Sequence, residues 1–122
     1  EAEQLNLIEN RLADLGQRAT ELRGIFDYDQ KADQLKAVAR ELEDPKVWDN
    51  AERAQELGRE RRALENVVLT LNRVGDGLRD ASDLFEMARE EDDDETLNAV
   101  VADVDAVEKE VAGLEFRRMF NN

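Results

Sequence analysis

The fold is decided by residues 64–88, LENVVLTLNRVGDGLRDASDLFEMA, where apolar side chains return every three or four positions. The series begins one heptad earlier, and its members share one helical face: Leu57, Leu64, Val68, Leu71, Val74, Leu78, Ala81, Phe85 and Ala88. Such spacing is typical of an amphipathic helix, and its length predicts one long helix over about residues 50–90. Gly75 and Gly77 each cost roughly 1 kcal/mol relative to alanine. Because the apolar series keeps its phase through them, we expect a bend or a weak point there, not a break.

A second long helix is predicted over about residues 94–118. Its apolar face consists of Leu97, Val100, Val101, Val104, Val107, Val111 and Leu114. Valine is a poor helix former, so tertiary packing must hold this element. The acidic run at residues 90–95 connects it to the first long helix. Since that connection is short and polar, the two helices should fold back as an antiparallel hairpin.

Two shorter helices should precede the hairpin. The first, over about residues 4–23, is indicated by the series Leu5, Ile8, Leu12, Leu15, Ala19 and Leu22. Asp27 stands three residues before Gln30, a spacing that predicts a capping box at the start of the second. That second helix carries the stripe Leu35, Val38, Ala39 and Leu42 and should end near Asp44, which precedes a proline. The sequence therefore predicts one all-α domain over residues 1–122, an antiparallel bundle in which two shorter helices cover a long hairpin.

Composition argues against an enzyme. The 122 residues include no histidine and no cysteine, which removes the commonest general base, metal ligand and strong nucleophile. The glycines at 75 and 77 lie in a helical pattern without the lysine of a phosphate-binding loop, so we expect no cofactor. The net charge of −14 repels phosphate and argues against DNA binding, which leaves a protein surface as the expected partner. No apolar run reaches membrane-span length and no signal pattern opens the chain, so we expect a cytoplasmic protein.

Three features allow a second interpretation. The acidic run at residues 90–95 lacks the spaced ligand order of a calcium loop, so a solvated turn that favours the next helix start is preferred over a cation site. A basic cluster, Arg53, Arg59, Arg61 and Arg62, alternates with glutamates, which favours pairing on the helix surface over an RNA patch. Trp48 follows the single proline and is interpreted as a core residue in preference to a stacking platform.

Four segments carry a resemblance to a known family. They are residues 22–29 (LRGIFDYD), 43–49 (EDPKVWD), 52–61 (ERAQELGRER) and 114–120 (LEFRRMF). In this order they resemble the amino-terminal helical domain of the bacterial class I peptide chain release factors. The resemblance covers essentially the whole chain in one register. The segment PKVW at residues 45–48 and the ending favour the type 2 branch of that family.

The resemblance implies a role in translation termination, in which the parent factors recognise stop codons and trigger peptidyl-tRNA hydrolysis. The family's Ser-Pro-Phe and Gly-Gly-Gln tripeptides carry that chemistry and are absent here, so no catalytic residue can be placed. The resemblance also implies that the domain faces the ribosome at the stalk base of the large subunit. A free-standing antiparallel coiled-coil adaptor or chaperone-like protein is the alternative.

Both ends of the second long helix are candidate contact sites. Phe116, Met119 and Phe120 are expected to pack against the remaining domains of a larger factor, of which this chain would be a truncated part. Asp92, Asp93 and Asp94 would then form the outer tip, facing a basic ribosomal protein surface. We expect a monomer, because the heptads are short and shared among several helices.

Overall fold

The computed structural model describes residues 2–120, which form five helices and no strand. The helices are α1 (Ala2–Ile25), α2 (Tyr28–Leu42), α3 (Pro45–Trp48), α4 (Ala51–Glu91) and α5 (Asp94–Phe120). The predicted all-α class is confirmed, and both long helices begin and end close to the predicted positions. Helix α4 continues through Gly75 and Gly77 without interruption, as the phase of its apolar series predicted.

One compact unit is formed by residues 2–22 together with residues 72–120. In it, α5 runs antiparallel to the second half of α4. Arg73 Nη2 lies 3.2 Å from Glu110 Oε1, and further along α4 a Cβ atom at Gly77 would lie 2.9 Å from Val107 Cγ2. These pairs run in opposite directions along the two helices, which confirms the predicted antiparallel hairpin.

Helix α1 completes this unit and runs parallel to α5. Arg11 Nη2 reaches Asp105 at 2.8 Å and Glu108 at 2.6 Å, while Arg18 Nη2 reaches Glu115 at 2.7 Å. The unit's buried side chains come from all three helices: Ile8, Leu15, Ala19, Leu22, Val74, Ala81, Phe85, Ala88, Leu97, Val100, Val104, Val107, Val111 and Leu114. The valines of α5 are therefore held by packing, which compensates for their poor helix propensity.

Residues 23–71 form the second compact unit, which contains α2, α3 and the first half of α4. Its core joins Val38 of α2 to Leu57 and Leu64 of α4. Three partly buried side chains surround these, namely Leu35, Leu42 and Val47. The predicted apolar stripe of α2 thus faces α4 within this unit.

Side-chain caps form at the starts of α3 and α4 but not at the start of α2. Asp44 Oδ1 accepts a hydrogen bond from Lys46 N at 3.0 Å, so it caps α3 with the proline at the first position. Asn50 Oδ1 accepts from Arg53 N at 3.1 Å and caps α4. The predicted capping box at Asp27 is wrong. Its backbone is left-handed, with φ 53° and ψ 55°, and its side chain forms no capping bond.

The reason lies in the tight turn between α1 and α2, which spans only residues 26 and 27. With only two residues between the helices, Asp27 takes a left-handed conformation, which aspartate tolerates better than most side chains. Backbone bonds serve the turn instead, because Asp27 N donates to Gly24 O at 3.2 Å and Lys31 N donates to Asp27 O at 3.0 Å.

Candidate interaction site

The acidic connection between α4 and α5 is an ordered turn at residues 92 and 93. Asp92 is left-handed, with φ 55°, and reverses the chain. Asp93 caps α5, because its Oδ1 accepts from Thr96 N at 3.1 Å and its Oδ2 accepts from the Thr96 hydroxyl at 2.6 Å. The Thr96 hydroxyl lowers the pKa of Asp93. The cap therefore contributes stability above the usual aspartate range, and that contribution is lost as the pH falls through the lowered value.

Two other acidic side chains flank Asp93 in this connection. Asp92 and Asp94 are exposed and form no ion pair with another residue of the described range 2–120. Within that range, no group of three or more aspartate, glutamate, histidine or cysteine side chains is arranged to hold a metal ion. Of the three predicted contact residues, Asp93 thus has a structural role and two present unpaired carboxylates.

The carboxyl end of α5 exposes an apolar ridge. Phe116, Met119 and Phe120 occupy positions i, i+3 and i+4 of one helical face and are 61%, 69% and 72% exposed. The two phenyl rings lie 4.9 Å apart, centroid to centroid, at an interplanar angle of 58°. Contiguous exposed apolar groups of this kind mark interaction surfaces on soluble domains. The predicted interdomain residues thus form one continuous surface.

A two-pronged ion pair fixes the helix directly before this ridge. Arg18 Nε and Nη2 donate to the two carboxylate oxygens of Glu115 at 2.9 and 2.7 Å, and Arg18 Nη1 donates to Asp14 at 3.0 Å. The guanidinium lowers the pKa of Glu115, and the two carboxylates raise the pKa of Arg18. The pair therefore stabilises α5 against α1 above the usual glutamate range, and it weakens as the pH falls through the lowered pKa of Glu115.

Trp48 lies on the surface, so its predicted place in the core is wrong. The side chain is 61% exposed, and its Nε1 donates to Leu42 O at 2.8 Å. Helix α3 is a single turn, and it directs Val47 toward the core of its unit. Adjacent positions on a helix face different directions, so burying Val47 exposes the indole.

The basic cluster divides into paired and unpaired arginines. Arg53 pairs with Glu41 at 3.1 Å and with Glu56 at 3.2 Å, and Arg61 pairs with Glu65 at 3.3 Å. These contacts confirm the predicted surface pairing for half of the cluster. The other two, Arg59 and Arg62, form no ion pair within residues 2–120. Both line the same surface groove as Trp48, a shared location that was not predicted from the sequence.

The helices of residues 2–120 define this chain as an all-α domain. No helix within residues 2–120 combines the length and apolarity needed to cross a membrane. The chain belongs to the PCRF domain family, which matches residues 31–122. The resemblance seen in the sequence is thereby confirmed.

Its relatives share one description. Over all 122 residues the chain is 56% identical to Peptide chain release factor 2 of Burkholderia pseudomallei (strain K96243). It is 53% identical to the protein of that name from Janthinobacterium sp. (strain Marseille) and 48% identical to that of Variovorax paradoxus (strain S110). Each alignment covers 100% of this chain and 33% of the relative, so the chain spans about a third of the length of these proteins.

Proposed function

We propose that this chain is the ribosome-facing helical domain of a stop-codon-dependent peptide chain release factor acting in translation termination. The observation that carries the proposal is the 56% identity to Peptide chain release factor 2 along the entire chain. The domain supplies binding and orientation, while the chemistry of peptide release belongs to the other parts of the factor. A free-standing adaptor would account for the same helices but not for a similarity that extends over all 122 residues of this chain.

The chain alone should bind ribosomal termination complexes without releasing peptide. Catalysis requires a positioned reactive group, and binding without one gives no turnover. The measurement is co-sedimentation of the 122-residue chain with ribosomes stalled at a stop codon, together with a peptide-release assay on the same sample. Stop-codon-dependent release by the chain alone, or absence of binding, would contradict the proposal.

The acidic turn is the proposed contact with a ribosomal protein at the stalk base. About 22 residues of α5 separate it from the apolar ridge, roughly 33 Å at 1.5 Å per residue. The ridge, Phe116 with Met119 and Phe120, would pack against the other domains of the factor, which leaves the acidic end of the helix to reach outward. The carboxylates of Asp92 and Asp94, which form no ion pair within residues 2–120, suit a basic protein surface and would repel ribosomal RNA.

The double substitution Asp92→Lys/Asp94→Lys in a full-length factor tests this contact. Asp93 stays unchanged because it caps α5. If the turn steers association, the variant should bind termination complexes about threefold more slowly at low salt and lose most of its salt dependence. The association rate is measured by stopped-flow fluorescence at low and moderate salt.

The matched control is Asp33→Lys/Asp103→Lys, which makes the same change of net charge at two other exposed positions. Its association rate should stay near that of the unchanged factor, because steering depends on where the charge lies. Equal rates for both double variants, with helical circular dichroism intact, would remove the acidic turn as a contact. The turn would then serve only to cap α5.

A further inference from the structure

A groove of about 600 Å³ lies between α3 and the first turns of α4, within the unit of residues 23–71. Trp48 forms one wall of it. The floor of the groove is formed by small residues of α4, namely Ala51, Ala54 and Gly58. The end furthest along α4 is lined by Arg59 and Arg62. The groove is therefore lined by the indole of Trp48, by small residues and Gln55 of α4, and by two arginines at one end.

Charge is distributed unevenly around α4 at this point. The residues that line the groove include no carboxylate, and the four glutamates of this segment lie outside that lining: Glu52, Glu56, Glu60 and Glu65. Arg59 and Arg62 form no ion pair within residues 2–120. The chain as a whole has a net charge of −14. The two guanidinium groups, which lack an ion pair within residues 2–120, therefore make one end of the groove locally positive.

Trp48 is held in place before any ligand binds. Its only hydrogen-bond donor, Nε1, is already bound to Leu42 O at 2.8 Å. The exposed remainder of the ring therefore offers apolar contact only. An anchored aromatic side chain loses little conformational freedom on binding, which makes it suited to anchor a partner's apolar side chain.

We propose that this groove binds an acidic segment of a partner protein. A large apolar side chain of the segment packs against Trp48, and carboxylates further along pair with Arg59 and Arg62. From residue 51 to residue 62 the axis of α4 extends roughly 16 Å. An extended peptide covers that distance in about five residues, which sets the spacing between its apolar anchor and its acidic residues.

Nucleic acid fits the same groove less well. A nucleotide strand carries a charge at every phosphate, so its repulsion from the acidic chain grows with length, while a peptide needs only two or three carboxylates. The proposal concerns a surface separate from the acidic turn and does not depend on the proposed function.

The test uses the full chain and the fluorescence of Trp48, which is its only tryptophan. The probe is a synthetic peptide with a Leu-Phe pair, a spacer of about four Gly and Ser residues, and the run Asp-Glu-Asp. A second peptide, with Asn-Gln-Asn in place of the acidic run, is the neutral control. A uridine oligonucleotide tests the competing class of ligand.

The acidic peptide should change the Trp48 emission in a saturable way, and the neutral peptide should bind at least about tenfold more weakly. The variant Arg59→Gln/Arg62→Gln should weaken binding of the acidic peptide by about the same factor. The matched variant Arg53→Gln/Arg61→Gln removes the same charge from arginines already paired with glutamates, so affinity should change less than about twofold.

Circular dichroism verifies that both variants keep their helices. Three results would overturn the proposal: no saturable change in emission with the acidic peptide, equal losses in the two arginine variants, or tighter binding of the oligonucleotide than of the peptide. The last result would assign the groove to RNA.

Discussion

Replacing Phe85 with alanine is expected to lower the free energy of unfolding by about 3–5 kcal/mol. Phe85 is 2% exposed and is among the largest fully buried side chains of the described residues. Truncation leaves a cavity that α1, α4 and α5 cannot close, because stiff valines of α5 form much of the surrounding core. Since small domains are stabilised by roughly 5–15 kcal/mol, the variant should be near the limit of folding. Urea denaturation followed by circular dichroism measures the change.

The chain offers a matched control for this substitution. Phe120→Ala removes the same atoms from a side chain that is 72% exposed, so the free energy of unfolding should change by less than about 0.5 kcal/mol. Comparable losses at both positions would mean that Phe85 is not the core residue that its burial indicates. The comparison also separates stability from binding, because Phe120 belongs to the ridge proposed to meet other domains.

The long helices were predicted well from the sequence because the side chains buried on one face of a helix recur every three or four positions. Every member of the α4 series is buried except Leu78, which is half-buried. The same holds for α5, where Val101 alone of the predicted face is half-buried. The spacing between successive apolar residues was enough to place them on the buried face, so the helix that packs against that face did not have to be known.

Features that depend on distant residues could not be predicted in this way. The capping box at Asp27 failed because the length of the turn, set by where α1 ends, determines the backbone there. Trp48 was misplaced because a one-turn helix carries no periodicity, so nothing local shows whether it or Val47 faces the core. The ion pairs of Arg11 with Asp105 and of Arg18 with Glu115 join positions more than 90 residues apart. Of the candidate contacts, the two ends of α5 remain predictions, and the groove at Trp48 was not predicted from the sequence.

The second large expected change in the free energy of unfolding concerns a glycine of the hairpin, Gly77. Gly77→Ala is expected to lower the free energy of unfolding by about 1–2 kcal/mol, although alanine is the better helix former by roughly 1 kcal/mol. A Cβ atom at this position would lie only 2.9 Å from Val107 Cγ2. Val107 is buried and β-branched, so its methyl group cannot swing away and the helices must shift apart. Thermal and urea unfolding of the variant measure the loss.

Gly113→Ala is the control, because it also replaces a helical glycine but places its Cβ where no atom lies within 4 Å. That variant should gain about 0.5–1 kcal/mol from helix propensity alone. The sign of Gly77→Ala should also reverse when Val107→Ala is already present, since the opposing methyl group is then gone. A double-mutant cycle measures that coupling. If Gly77→Ala stabilises the unchanged chain as Gly113→Ala does, α4 and α5 do not approach closely at residue 77. The glycine would then be an ordinary weak point of the helix, without a packing role.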